Sequence, residues 1–138
     1  MSSEDEVRKA SEQFYAGLNS MVGGDAGPLA DIWSHSKDVT TMHPVGGREV
    51  GWDEVWKKWV DAAKVFTGGH VQLDERLIRV AGDFAYEVGI EKGVASVAGN
   101  EFSMSCRVTN IYRKEAGAWK IVHHHADVSP SMMDLVNR

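Results

Sequence analysis

The sequence lacks several features that would narrow its class at once. It has one cysteine, Cys106, which excludes an internal disulfide. It has no run of basic residues: 15 Lys and Arg are scattered against 20 Asp and Glu, for a formal net charge of −5. Nothing here tracks a phosphate backbone, which argues against a nucleic-acid partner. Residues 1–20 carry acidic side chains where a signal peptide needs a basic start and an apolar stretch, so the chain reads as cytoplasmic with no membrane role. There is no linker, internal repeat or low-complexity segment, so residues 1–138 read as one domain. What is present is ordinary for a globular chain, with 43% hydrophobic and 25% charged residues. A chain of this length buries roughly two-thirds of its unfolded surface. Four of its five tryptophans, Trp33, Trp52, Trp56 and Trp59, fall in one short region, which points to a large apolar core or a cavity wall.

Ser3 followed by Glu6 has the form of a capping box, and Val7, Ala10, Phe14, Leu18 and Met21 recur at three- and four-residue steps. That pattern predicts an amphipathic helix of about five turns, stopped by Gly23 and Gly24. Asp25 then caps a second helix over residues 25–33, with Pro28 in its first turn and Leu29, Ile32 and Trp33 as its apolar side. Asp38 to His43 reads as a short strand ended by Pro44 and glycines 46 and 47. A third helix starts near Gly51, where Trp52, Val55, Trp56, Trp59, Val60 and Ala63 form one stripe that requires a broad surface to lie against. From Gly69 the apolar period becomes two. Turn signals at Ala81-Gly82-Asp83, Ala98-Gly99-Asn100 and Glu115-Ala116-Gly117 divide the remainder into four long strands that pair as a meander. Residues 129–138 read as a loose tail or a short terminal helix. Helices first and strands afterwards is the order of an α+β domain, with the helices on one face of an antiparallel sheet.

This order, together with Arg107-Val-Thr-Asn-Ile-Tyr-Arg-Lys-Glu-Ala-Gly-Ala-Trp-Lys-Ile-Val-His-His-His125, resembles the nuclear transport factor 2-like superfamily and, within it, the SnoaL-like proteins. The same segment, Asp38 to Gly51 and Val80-Ala-Gly-Asp-Phe-Ala-Tyr86 are also similar to the association domain of calcium/calmodulin-dependent protein kinase II. A looser likeness to ketosteroid isomerase runs from Phe14-Tyr-Ala-Gly-Leu-Asn19 to His43-Pro-Val-Gly46. The resemblance implies a cone-shaped, cystatin-like fold, three helices on a strongly curved sheet that encloses a pocket. It is specific for fold rather than chemistry, since this scaffold carries isomerases, cyclases, dehydratases, transport factors and oligomerisation modules. It also implies that Val122, His124 and Ala126 look into the cone, while Ile121, His123 and His125 lie on the open face where two subunits pair. Alternation then turns Met104, Cys106, Val108, Asn110 and Tyr112 inward, and Ser105, Arg107, Thr109 and Ile111 outward. One slipped residue would invert the assignment. The implied partner is a second copy, meeting Arg107, Thr109, Ile111, His123 and His125.

His43 stands where ketosteroid isomerase places its catalytic aspartate, and an unperturbed imidazole titrates near neutral pH, so it is the candidate general base. Its plainer role is to hydrogen-bond a neighbour or help recognise a ligand. The isomerase's oxyanion hole is a tyrosine plus a protonated aspartate. Phe14 takes the tyrosine's place with Tyr15 one residue off, and Asn110 stands in for the aspartate as the donor to a developing oxyanion. Tyr86 and Tyr112 are further inward-facing donors. All four polar residues also suit core filling with a satisfied polar tip. Trp33, Trp56 and His124 complete the expected ligand-contacting set. His123, His125 and Asp127 share one outward face, where a partner subunit suits them better than a metal. Cys106 reads as a core thiol. Glu87 and Glu91 are expected opposite Tyr86, away from the pocket, in a solvated or interfacial role. The leading functional reading is a homodimer that binds a small, partly apolar molecule, with isomerase- or lyase-type chemistry at His43 and no cofactor. A non-catalytic oligomerisation or ligand-sensing module is the alternative.

Overall fold

Residues 2–138 are described by the computed structural model, and they form four helices and six strands. Helix α1 spans Ser3–Val22. Its capping box lies one residue earlier than expected: Ser2 Oγ accepts from Asp5 N, and the Asp5 carboxylate accepts from Ser2 N. The box needs only an acceptor pair three residues apart, and Ser2–Asp5 meets that spacing as well as Ser3–Glu6 does. The predicted apolar face is buried from Val7 through Met21. Helix α2 shrinks to Leu29–Ile32, because Asp25 Oδ1 accepts from Gly27 N in a local turn instead of capping a helix. Helix α3, Trp52–Val65, buries Val55, Trp59 and Ala63 while Trp52, Trp56 and Val60 are half-buried.

The strands are β1 (Thr40–His43), β2 (Gly46–Val50), β3 (Phe66–Ala81), β4 (Phe84–Val97), β5 (Asn100–Glu115) and β6 (Ala118–Ala126), in the sheet order β2-β1-β6-β5-β4-β3. The four-strand meander is as expected. β2 is an addition: the glycines at 46 and 47 begin a strand that folds back on β1. Pairing is antiparallel except where β1 lies parallel to β6.

The sheet curls because side chains are absent where β3 and β4 are creased together. A Cβ on Gly93 would sit 2.0 Å from the His70 carbonyl oxygen, and one on Gly69, at φ 142°, would sit 2.5 Å from Ala95 Cα. Two bulges then re-aim side chains. One, between Asp74 and Leu77, has Glu75 at φ 56°. The other, between Ile111 and Tyr112, sets Tyr112 opposite Ile121. Partners in an antiparallel pair share a face, so Ile121 lies inside, fully buried, and not on the open face.

Phe14, Trp33 and Trp59 meet edge-on or tilted at 6.2–6.4 Å between ring centroids and form the core beneath the helices. The chain end is not loose. Ser129 caps helix α4, Pro130–Val136, whose Met132 is buried. No helix of the described residues is long and apolar enough to cross a membrane.

Candidate functional site

Between α1, α3, α4 and the inner face of the sheet lies a cavity of about 220 Å³. Most of its wall is apolar, with Leu18, Met21, Val71, Ala95, Met104 and Met132 among the contributors and Trp59 as the largest side chain. Against this wall stand three buried titratable groups, His43, Glu91 and His124, while Lys58 and Asp61 reach the cavity from α3.

Behind the cavity the inner faces of β4, β5 and β6 carry a connected polar chain. Tyr15 Oη donates to Glu91 Oε2 at 2.9 Å and accepts from Asn110 Nδ2 at 3.1 Å. Asn110 Nδ2 also donates to Glu87 Oε1 at 3.0 Å, where Tyr112 Oη donates at 2.9 Å. Asn110 Oδ1 lies 2.6 Å from His124 Nδ1. The bulge in β3 points Arg76 at this chain. Its Nε sits 3.1 Å from Glu87 Oε2, an ion pair without hydrogen-bond alignment.

Burial governs the charges. It pushes Glu91 up to about 7, opposed by the Tyr15 hydrogen bond and helped by the charge of Glu87. It pulls His43 down to about 3, with the Lys58 charge adding, and His124 well below the imidazole range, with His43, His123 and His125 adding. His43 Nε2 is 3.5 Å from Glu49 Oε1. Desolvation outweighs that carboxylate, so His43 is a neutral ring at neutral pH. Burial and the nearby carboxylates raise Tyr15 well above the phenol range, and Glu91 is their nearest anion; burial pushes the Cys106 thiol up to about 11. Glu91 is thus the cavity group poised near neutrality, as acid–base chemistry requires.

Of the residues expected at the site, His43 and His124 line the cavity. Asn110 is buried on the inward face as expected, but it does not donate into the cavity, because Tyr15 and Glu87 take its amide hydrogens. Tyr15 and Tyr112 point inward and spend their hydroxyls on Glu91 and Glu87 rather than on the cavity. Trp33 is buried core, and half-buried Trp56 stacks on Trp52 at 5.3 Å; neither lines the cavity. The largest correction concerns β4. Tyr86 pairs with Ile111 and is 48% exposed, whereas Glu87 pairs with Asn110 and is fully buried, as is Glu91 at 2% exposure. Cross-strand partners share a face, so the inward Asn110 carries Glu87 and Glu91 inward and turns Tyr86 out. The available signal was the inward parity of Asn110; placing Tyr86 inward turned both carboxylates outward by alternation and hid it. On the other face Arg107, Thr109, Ile111, His123 and His125 are exposed or half-buried, with Arg107 paired to Asp127 at 2.8 Å.

Comparison with known proteins agrees with this architecture. A curated relative, the F-box protein SKIP8 of Arabidopsis thaliana, is 28% identical over 100 residues, covering 72% of this chain and 41% of its own length. The chain thus spans less than half of that relative. Among solved structures, a proposed dehydratase of the NTF2-like family from Streptomyces avermitilis superposes with a TM-score of 0.78 at 23% identity, covering 91% of this chain and 95% of the other. The S. rosetta CaMKII hub superposes with a TM-score of 0.73 at 16% identity, covering 94% and 98%. At such identities the likeness speaks for fold alone. Residues 7–131 match the model of the SnoaL-like domain, nearly the whole length, and the chain belongs to that family.

Proposed function

We propose that this protein binds a small, mostly apolar molecule in its cone and performs acid–base chemistry of the isomerase or lyase type on it. The observation that carries the reading is Glu91: a carboxyl buried in the wall of an apolar cavity, with Tyr15 on one oxygen, the His124 ring 3.8 Å away and no Lys or Arg of the described residues paired with it. In this reading Glu91 moves the proton, and His43, neutral and with Nε2 lacking a hydrogen-bond partner, recognises or polarises the ligand. The described dehydratase of the same fold is compatible with proton-transfer chemistry here. The test is exchange of α-protons of cyclic ketones in D₂O, followed by NMR. Glu91→Gln lowers the rate by about a hundred-fold and His43→Ala lowers it less, in line with the weight of general acid–base catalysis. Exchange that is equally fast in Glu91→Gln removes the assignment. Ligand binding without exchange in the native protein leaves a carrier or sensor.

A second reading is supported by the outer face and by the hub-like neighbour: a homodimer formed through Arg107, Thr109, Ile111, His123 and His125. A groove lined by Leu77, Val88, Arg107, Thr109 and His125 lies on that side, and it mixes apolar and polar groups as interfaces do. Sedimentation that finds a monomer at micromolar concentration rejects it. The lone, buried Cys106 suits a reducing, cytoplasmic location.

A further inference from the structure

Resting on the acid–base reading of Glu91, we infer that the cavity takes an uncharged molecule bearing one hydroxyl or one enolisable carbonyl. Arg76, Glu87 and Asn110, which do not line the cavity, are the positioning residues that prepare the site for it.

The polarity of the buried chain follows from donor and acceptor rules. Glu87 has only acceptor oxygens to offer, Oε1 taking the Tyr112 hydroxyl and Oε2 facing the Arg76 guanidinium, so the Asn110 amide nitrogen must be the end that meets Oε1. The Asn110 carbonyl then faces His124 Nδ1 at 2.6 Å, and a carbonyl only accepts. His124 Nδ1 therefore carries the hydrogen, and in the neutral ring Nε2 keeps a lone pair. The other Asn110 hydrogen goes to Tyr15, so the Tyr15 hydrogen goes to Glu91 Oε2. Each step is dictated by the one before, and the start is the Arg76–Glu87 pair.

What remains for a ligand is a bare imidazole nitrogen beside a carboxyl that is protonated below about pH 7, with Nε2 and Oε2 3.8 Å apart, beyond hydrogen-bonding reach. A hydroxyl fits both, donating to Nε2 and accepting from Glu91. An enolisable carbonyl does likewise: Glu91 gives its proton to the carbonyl oxygen as Nε2 takes the α-proton, and the C–H electron pair becomes the enol double bond. An anion would bring a third negative or lone-pair group to this corner. The groups facing Glu91 are Tyr15 from α1, Glu87 on its own strand, Cys106 across from it on β5, His124 on β6 and, by way of His124, His43 on β1. No cation is among them. Arg76 is committed to Glu87, and Lys58 reaches the cavity from α3.

The test uses the full chain labelled with ¹⁵N-histidine and three matched probes, 2-naphthol, 2-naphthoate and naphthalene. The expected result is the Nδ1–H tautomer at His124, with 2-naphthol binding about ten-fold more tightly than either other probe. In the double variant Arg76→Met, Glu87→Gln, which leaves no buried charge unpaired, the glutamine can face Asn110 with either end. His124 then shows mixed tautomers and the 2-naphthol preference is lost, while naphthalene binds as before. The proposal is overturned by an Nε2–H tautomer in the native protein, or by a double variant that keeps both tautomer and preference. It is also overturned if 2-naphthoate binds best, which would make Lys58 the anchor, or if naphthalene equals 2-naphthol, which leaves apolar binding intact but the polar pair unused. Failure of all three probes to bind removes the ligand reading as well.

Discussion

His123, His124 and His125 are consecutive, yet they occupy two different solvents. His124 points into the cone, is buried, neutral and held through Nδ1 by Asn110. His123 and His125 point out, His123 half-buried against Thr40 and His125 exposed. β4 repeats the contrast with the polarity reversed, burying Glu87 and Glu91 and exposing Tyr86. An outer face of one sheet that carries an aromatic while its inner face carries carboxylates inverts the usual sorting. The inner face tolerates this because most of its polar atoms have partners, and Glu91 and the unpartnered His43 Nε2 line the cavity, where chemistry can use a shifted or open group.

The sharpest break of the inside–outside contrast is Trp59→Ala. Trp59 packs against Phe14, Trp33, His43 and His124, and its loss should cost about 3–5 kcal/mol by chemical denaturation. Trp56→Ala, on the half-buried side of the same helix, should cost well under half as much; equal costs would erase the difference between the two sides of α3. Asn110→Ala strands Tyr15, Glu87 and His124 together, and at about 1–3 kcal/mol for a stranded group should destabilise by roughly 2–4 kcal/mol. Its outward neighbour Thr109→Val should stay within about 0.5 kcal/mol.

The next test is pH. Glu91 rises from 4.5 to about 7 on folding, so its contribution is complete below about 4.5 and is lost as pH rises through 7. His43 falls from 6.5 to about 3, so its contribution is complete above 6.5 and is lost as pH falls through 3. The two slopes oppose each other between 4.5 and 6.5, and below 4.5 that of His43 acts without opposition from Glu91. Denaturant midpoints across this range should lose the alkaline fall in Glu91→Gln and lose part of the acid fall in His43→Gln. Unaltered profiles would mean that neither group is desolvated. The last test is Ile111→Glu at a half-buried position of the outer face, which should act, if the outer face is an interface, on association measured by sedimentation.

Much of the fold is legible in the residues. The apolar spacing of α1 and α3, the three glycine turns and the alternation along β5 each follow from local periodicity, while the inward side of Asn110, Tyr112 and His124 is the one that the family resemblance, carried along the strands by alternation, implies. β2 escaped because Gly46 and Gly47 look like punctuation until β1 is beside them. Ile121 escaped because a bulge at Val122 shifts the period by one, and no residue type announces that bulge. Glu87 and Glu91 escaped because their face depends on which β5 residue stands opposite each.

By itself, then, the sequence determined the elements, their order and the apolar faces that must be covered, since these rest on interactions between residues a few positions apart. Only the tertiary structure decided that two glutamates lie inside, that Arg76 meets one and a cavity meets the other, and that Asn110 orients His124. Those contacts join residues on different strands, and their identity depends on strand register, bulges and desolvation, none of which is a property of any short stretch of chain.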